Sequence, residues 1–133
     1  NLRIFGCFGE HEESTRFFNT NINRYIDNQP IQLVKDRKMD FIYAGDLYKI
    51  IKYYLDGNDA PKDLNCVYKR KYMLSDIAEM INRLGPYKVD IQSEGQFSVF
   101  PYIGKANDLP IEYDGLVNGI RKVYEKYLRQ RNV

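Results

Sequence analysis

The stretch Arg37-Lys38-Met39-Asp40-Phe41-Ile42-Tyr43-Ala44-Gly45-Asp46-Leu47 reads as a strand that runs directly into a helix. Met39, Phe41 and Tyr43 alternate with Asp40 and Ile42, which is the period of a strand. Asp46 stands where an N-cap belongs, its carboxylate free to accept backbone N–H bonds. Behind it Leu47, Ile50, Ile51, Tyr54 and Leu55 form a helical apolar stripe over 47–56, and Gly57 stops it.

Working outward, residues 2–5 read as a short buried strand and 6–13 as a loop. Ser14 or Thr15 can cap a helix carrying Phe18, Ile22, Tyr25 and Ile26 on one face, ended by Asn28 and Pro30. Ile31 to Lys35 and 38–43 are strands. Downstream, a turn with Pro61 leads to a strand from Leu64 to Tyr68. Leu74, Ile77, Ala78, Ile81 and Leu84 mark a third helix, closed by Gly85-Pro86. Tyr87 to Gln92 alternates as a strand, and a further short strand is expected near 97–100. Asp114 caps the last helix, whose stripe is Leu116, Ile120, Val123 and Tyr127. Its basic end, Lys126, Arg129 and Arg131, suits the negative pole of the helix. The alternation of strands and helices predicts an α/β fold. The strands are too few and short for a full doubly wound domain, so a small lobe with about four helices is expected.

A chain of 133 residues suits one domain with one core. Hydrophobic residues make up 44% and charged residues 29%, ordinary for a globular protein. The formal net charge of +2 implies no general pull toward nucleic acid or membrane. No apolar run approaches the roughly 20 residues that cross a bilayer, and no secretory signal opens the chain. Cys7 and Cys66 are too few for a disulfide framework and read as free thiols in a reducing cytoplasm. Twelve tyrosines without a tryptophan could line a half-wet cleft or cover an ordinary surface. The chain opens without Met inside an apolar, strand-like segment, so it is expected to be cut from a longer polypeptide.

The 37–47 segment resembles the "R-D-F-I-Y-V-x-D" run of the extended short-chain dehydrogenases, the NAD-dependent epimerase/dehydratase family that acts on nucleotide sugars. Leu2-Arg3-Ile4-Phe5-Gly6-Cys7-Phe8-Gly9 is similar to that family's "L-R-x-x-N-V-Y-G-P", which follows its catalytic Tyr-x-x-x-Lys helix. Gly115-Leu116, opening the last helix, resembles its closing "G-L-x-x-x-I". The three come in family order and span nearly the whole chain. The resemblance implies the C-terminal part of a Rossmann-type two-lobed enzyme, with residues 1–133 as the substrate-binding domain. Implied with it are a nucleotide-sugar substrate, an epimerase, dehydratase or reductase activity by hydride transfer at a sugar carbon, and NAD or NADP in the intact protein. No cofactor is expected on these residues alone, and the N-terminal dinucleotide-binding domain would be the partner, with self-association in its absence. The alternative is a non-catalytic α/β interaction module, or a degenerate family member.

The same register supplies site residues. The Phe5 backbone would approach the nicotinamide and Gly6 the sugar, although family members usually carry Asn at Gly6 and Pro at Glu10. Met39 takes the place of an arginine that commonly clamps the diphosphate. Arg37, on the same strand face if the strand reaches that far, could substitute, as could Lys35 or Arg16. Leu33-Val34-Lys35 resembles the segment bordering the nucleotide base. No catalytic residue is expected here. Tyr48-x-x-x-Lys52 spells the family's catalytic pair but falls after the 37–47 segment instead of before 2–9, and reads as helix surface. Gly6 and Gly9 do not spell G-x-G-x-x-G. His11 among Glu10, Glu12 and Glu13 reads as a solvated loop or a substrate contact, with too few converging ligands for a metal. Tyr68-Lys69-Arg70-Lys71-Tyr72 reads as a turn with solvated charges, not a nucleic-acid surface.

Overall fold

Among the described residues the apolar periods become four helices packed around three pairs of short parallel strands. The computed structural model describes residues 1–97 and 100–132. In chain order the elements are β1 (Leu2–Arg3), β2 (Cys7–Phe8), α1 (Phe17–Ile26), β3 (Ile31–Asp36), β4 (Ile42–Tyr43), α2 (Ala44–Leu55), β5 (Leu64–Asn65), α3 (Leu74–Ile81), β6 (Ile91–Phe97) and α4 (Gly115–Arg131). β1 pairs with β5, β2 with β4, and β3 with β6, all parallel. The longest ladder sets Ile31 opposite Ile91 and shifts register between Leu33 and Lys35. Parallel pairs need long crossovers: α1 and β3 lie between β2 and β4, and α2 and α3 fall between β3 and β6. The expected small α/β lobe is what the chain forms.

The helical stripes land inward as their spacing predicts. Phe18, Ile22 and Tyr25 of α1, Ile77, Ala78 and Ile81 of α3, and Leu116, Ile120, Val123 and Tyr127 of α4 share one core with Phe8, Ile31 and Leu33. A second cluster holds Ile42, Ile50, Leu64 and Cys66 under α2. Each such side chain contributes roughly 1.5–3 kcal/mol on leaving water. No helix among the described residues is long and apolar enough to cross a membrane.

Several local expectations are corrected. The 38–43 strand is broken: Lys38 and Met39 form isolated bridges to Met73 and Tyr102, and only Ile42–Tyr43 joins a ladder. The strand expected at 64–68 shrinks to two residues, and β2 arises within the expected loop. The 87–92 strand starts only at Ile91, because the buried Asn82 amide holds Val89 through both its N–H and its carbonyl, at 2.9 Å each, in place of a ladder. Part of the strand expected near 97–100 lies outside the described residues. Arg16, not Ser14 or Thr15, is the N-cap of α1, and Thr20 Oγ1 donates back to the Ser14 carbonyl at 2.6 Å. On α2, Ile50 is buried, but Ile51 and Leu55 are 40% and 81% exposed, so two of the five residues of the expected stripe face outward.

Candidate functional site

Two buried carboxylates organise the region around the 37–47 stretch. α2 begins at Ala44, so Asp46 lies in its first turn and does not cap it. The Asp46 carboxylate instead accepts the backbone N–H groups of Asp114 (2.8 Å) and Gly115 (3.0 Å), where α4 begins. It also accepts the Tyr68 hydroxyl and lies 3.5 Å from Lys49 Nζ. Burial and that bond to a carboxylate push the Tyr68 hydroxyl pKa upward, so it stays a donor. Asp114 occupies the N-cap position of α4, but its carboxylate pairs with Lys122 (2.8 Å) and Lys49 (3.4 Å).

Asp40, 4% exposed, accepts Lys71 Nζ on both oxygens (2.9 and 2.8 Å) and the Gly104 N–H at 2.7 Å. Lys71 is thus no solvated turn charge, as its setting in Tyr68–Tyr72 suggested. The pair pins residues 102–104 against Phe5 and the strand-like run before β4. Tyr102 donates its N–H to the Lys38 carbonyl and accepts from the Asp40 N–H, both at 2.9 Å.

On that frame the structure gathers some of the sequence-derived candidates and separates others. Gly6 is buried, its carbonyl accepting the Ile42 N–H at 2.8 Å. A Cβ on Gly6 would lie 2.7 Å from the Phe41 ring and 3.0 Å from the Asp40 carbonyl, which explains a residue without a side chain there. Phe5 packs edge-to-face on Tyr102 at 5.1 Å, and a Cβ on Gly104 would stand 2.6 Å from its ring. The Arg37 guanidinium lies 5.8 Å from the Tyr102 ring centroid and 3.7 Å from Met39 Sδ. Arg37 falls after β3 ends at Asp36, outside any ladder, yet it meets Met39 side by side.

Arg16 borders a different hollow of about 390 Å³, walled by Cys7, Gly9, Glu12, His11 and Ala44. Glu12 accepts the Asn19 N–H at 2.9 Å, and burial outweighs that bond and raises its pKa. Burial, with Glu12 nearby, raises the Cys7 thiol as well, which leaves it protonated and weakly nucleophilic. Leu33 is a core residue, 4% exposed, and shares with exposed Lys35 a hollow of about 360 Å³ between α1 and β3. Among the described residues no set of His, Cys, Asp and Glu is placed to hold a metal. Tyr102 and Asp40 were missed from sequence; for Asp40, a carboxylate inside an alternating apolar run was the available signal.

The α/β pattern of helices and short parallel strands is similar to a Rossmann-type epimerase fold. The model of the NAD dependent epimerase/dehydratase family matches residues 1–66. The UDP-N-acetylglucosamine 4-epimerase of Methanobrevibacter ruminantium M1, solved with UDP-N-acetylmuramic acid, superposes at a TM-score of 0.78 with 15% identity over 97% of this chain and 46% of its own. The UDP-glucuronic acid 4-epimerase of Bacillus cereus, solved with UDP-glucuronic acid and NAD, gives 0.74 and 16% over 98% and 45%. The UDP-glucose 4-epimerase of Thermotoga maritima, solved with UDP-glucose, gives 0.73 and 13% over 99% and 46%. The chain therefore spans less than half the length of these solved structures. A search of curated proteins finds no match. Residues 1–66 thus match the NAD dependent epimerase/dehydratase family, and the chain shares the fold of these solved epimerases.

Proposed function

We propose that this chain is the substrate-binding lobe of an NAD(P)-dependent nucleotide-sugar epimerase, dehydratase or reductase. The observation that carries the reading is the meeting of Phe5, Gly6 and Arg37 around the Asp40–Lys71 frame, in the order in which the family's segments run. Phe5 and Gly6 would form one wall beside the sugar, Arg37 would offset diphosphate charge, and Arg16 and Lys35 would add cations at the neighbouring hollows. The Leu33 side chain belongs to the core, so a contact from that position to the base would come from the β3 backbone.

A dinucleotide does not fit these residues as a cradle. Gly9 precedes α1 by eight positions, and a Cβ on it would lie 2.8 Å from the Ala44 Cβ, so packing already accounts for this glycine. Only the Phe5 backbone is offered to a nicotinamide. The pyrophosphate cradle and the Tyr/Lys pair would come from a dinucleotide-binding half. That half would dock on the outward stripe of α2, where Tyr48 and Leu55 are 65% and 81% exposed beside Ile51, and on Ile4 near β1.

Calorimetric titration of the chain with UDP, UDP-glucose and uridine tests the reading. Binding of the two diphosphates but not of uridine, weakened by Arg37→Leu, supports it. Equal indifference to all three would overturn it in favour of an interaction module.

A further inference from the structure

We infer that Tyr102 is a positioning residue for Arg37, holding the guanidinium in the pose that meets a phosphate oxygen of the ligand. The inference rests on the proposed diphosphate role of Arg37 and adds a residue that the sequence patterns do not mark.

Three observations converge on it. Tyr102 lies in a segment without regular structure, yet its backbone is fixed on both sides. Its N–H and carbonyl bond Lys38 and Asp40, and two residues later Gly104 bonds the Asp40 carboxylate, itself held by Lys71. A loop anchored this firmly presents its side chain in one orientation. That side chain remains 43% exposed, with one edge seated on Phe5 and the guanidinium of Arg37 at 5.8 Å. Finally, among the described residues Arg37 enters no salt bridge; its polar contact is the Met39 sulfur. A cation set over an aromatic ring and left without a carboxylate keeps its N–H donors for an outside anion.

An arginine on a flexible stem loses rotamer freedom when it clamps a ligand. A cation–π contact with a fixed ring removes part of that loss before binding. The ring is what matters in this scheme; the phenol oxygen is not needed.

The test has a ligand-free and a ligand-bound arm, both on the full chain. In the first, the Arg37 Nε–H resonance should carry a ring-current shift that Tyr102→Leu abolishes and Tyr102→Phe keeps. Arg70, 5.3 Å from the Tyr72 ring, provides the control signal that neither variant moves. An Arg37 signal that ignores Tyr102→Leu overturns the inference whatever the ligand does. In the second arm, Tyr102→Leu should weaken UDP binding about two- to fivefold, the scale of an exposed cation–π contact, while Tyr102→Phe stays within twofold of wild type. Equal weakening by both variants overturns the positioning role and leaves the diphosphate reading standing. Wild-type chain that ignores UDP removes the diphosphate reading and the inference together.

Discussion

The carboxylate of Asp46, in the first turn of α2, accepts the N–H of Gly115, the first residue of α4, at 3.0 Å. A residue at the start of one helix thus satisfies the start of another, 69 positions away in the chain. Gly115 sits at φ +88, a conformation other residues rarely adopt. Asp46→Ala would leave two N–H groups and the Tyr68 hydroxyl without their acceptor. A loss of about 3 kcal/mol is expected from such orphaned donors, read from urea midpoints. Amide exchange at 114–116 should accelerate more than at 124–127; uniform acceleration would count against the capping account.

The Asp40–Lys71 pair predicts an asymmetry. Removing one partner by Lys71→Met strands a buried carboxylate and should cost about 3–5 kcal/mol. The double change Asp40→Leu with Lys71→Met should recover most of that loss. If the double variant is as unstable as the sum of the single ones, the pair is not coupled as its geometry requires.

Gly6 and Phe41 should prove interdependent. Gly6→Asn, the residue usual in the family, places a Cβ 2.7 Å from the Phe41 ring. The expected cost is about 1–3 kcal/mol, by analogy with overpacked cores. Combining it with Phe41→Leu should return part of that stability. A Gly6→Asn protein as stable as wild type would show that the ring moves aside freely.

Acid sensitivity should follow Asp114. Its bond to Lys122, then the nearby Lys49, hold its pKa below the ordinary carboxylate value. A depressed folded pKa stabilises above the unfolded value and fades as pH falls through the folded one. Lys122→Met should therefore raise the Asp114 titration midpoint, followed by carboxyl carbon shifts in NMR. An unmoved midpoint would mean that Lys122 contributes nothing to it.

The outward stripe of α2 predicts association that can be switched off. Tyr48→Lys together with Leu55→Glu should lower the sedimentation-derived mass of the isolated chain toward that of the monomer, with the melting temperature little changed. Association that persists in the variant would locate the sticky surface elsewhere.

How much of this was legible in the sequence depends on distance along the chain. The stripes of α1, α3 and α4 were, because a helix writes its buried face within a few residues. The fold class and the family followed from the order of strand, helix and motif. Two-residue strands were not legible, since Cys7–Phe8 gains its partner only from β4. Asp46 misled because local rules assign an Asp at a helix start to its own helix. The Asp40–Lys71 contact joins residues 31 apart, and nothing near Lys71 distinguishes it from its solvated neighbours Lys69 and Arg70. Tyr102 sits in a run without periodicity, so only its tertiary anchors reveal it.

Every ladder among the described residues is parallel and joins remote segments, as Leu2 with Leu64 and Ile31 with Ile91 show. Leu2 and Arg3 therefore meet Leu64 and Asn65 only after position 65 has been synthesised. Assembly of this lobe is bound to be late and comparatively slow on the ribosome.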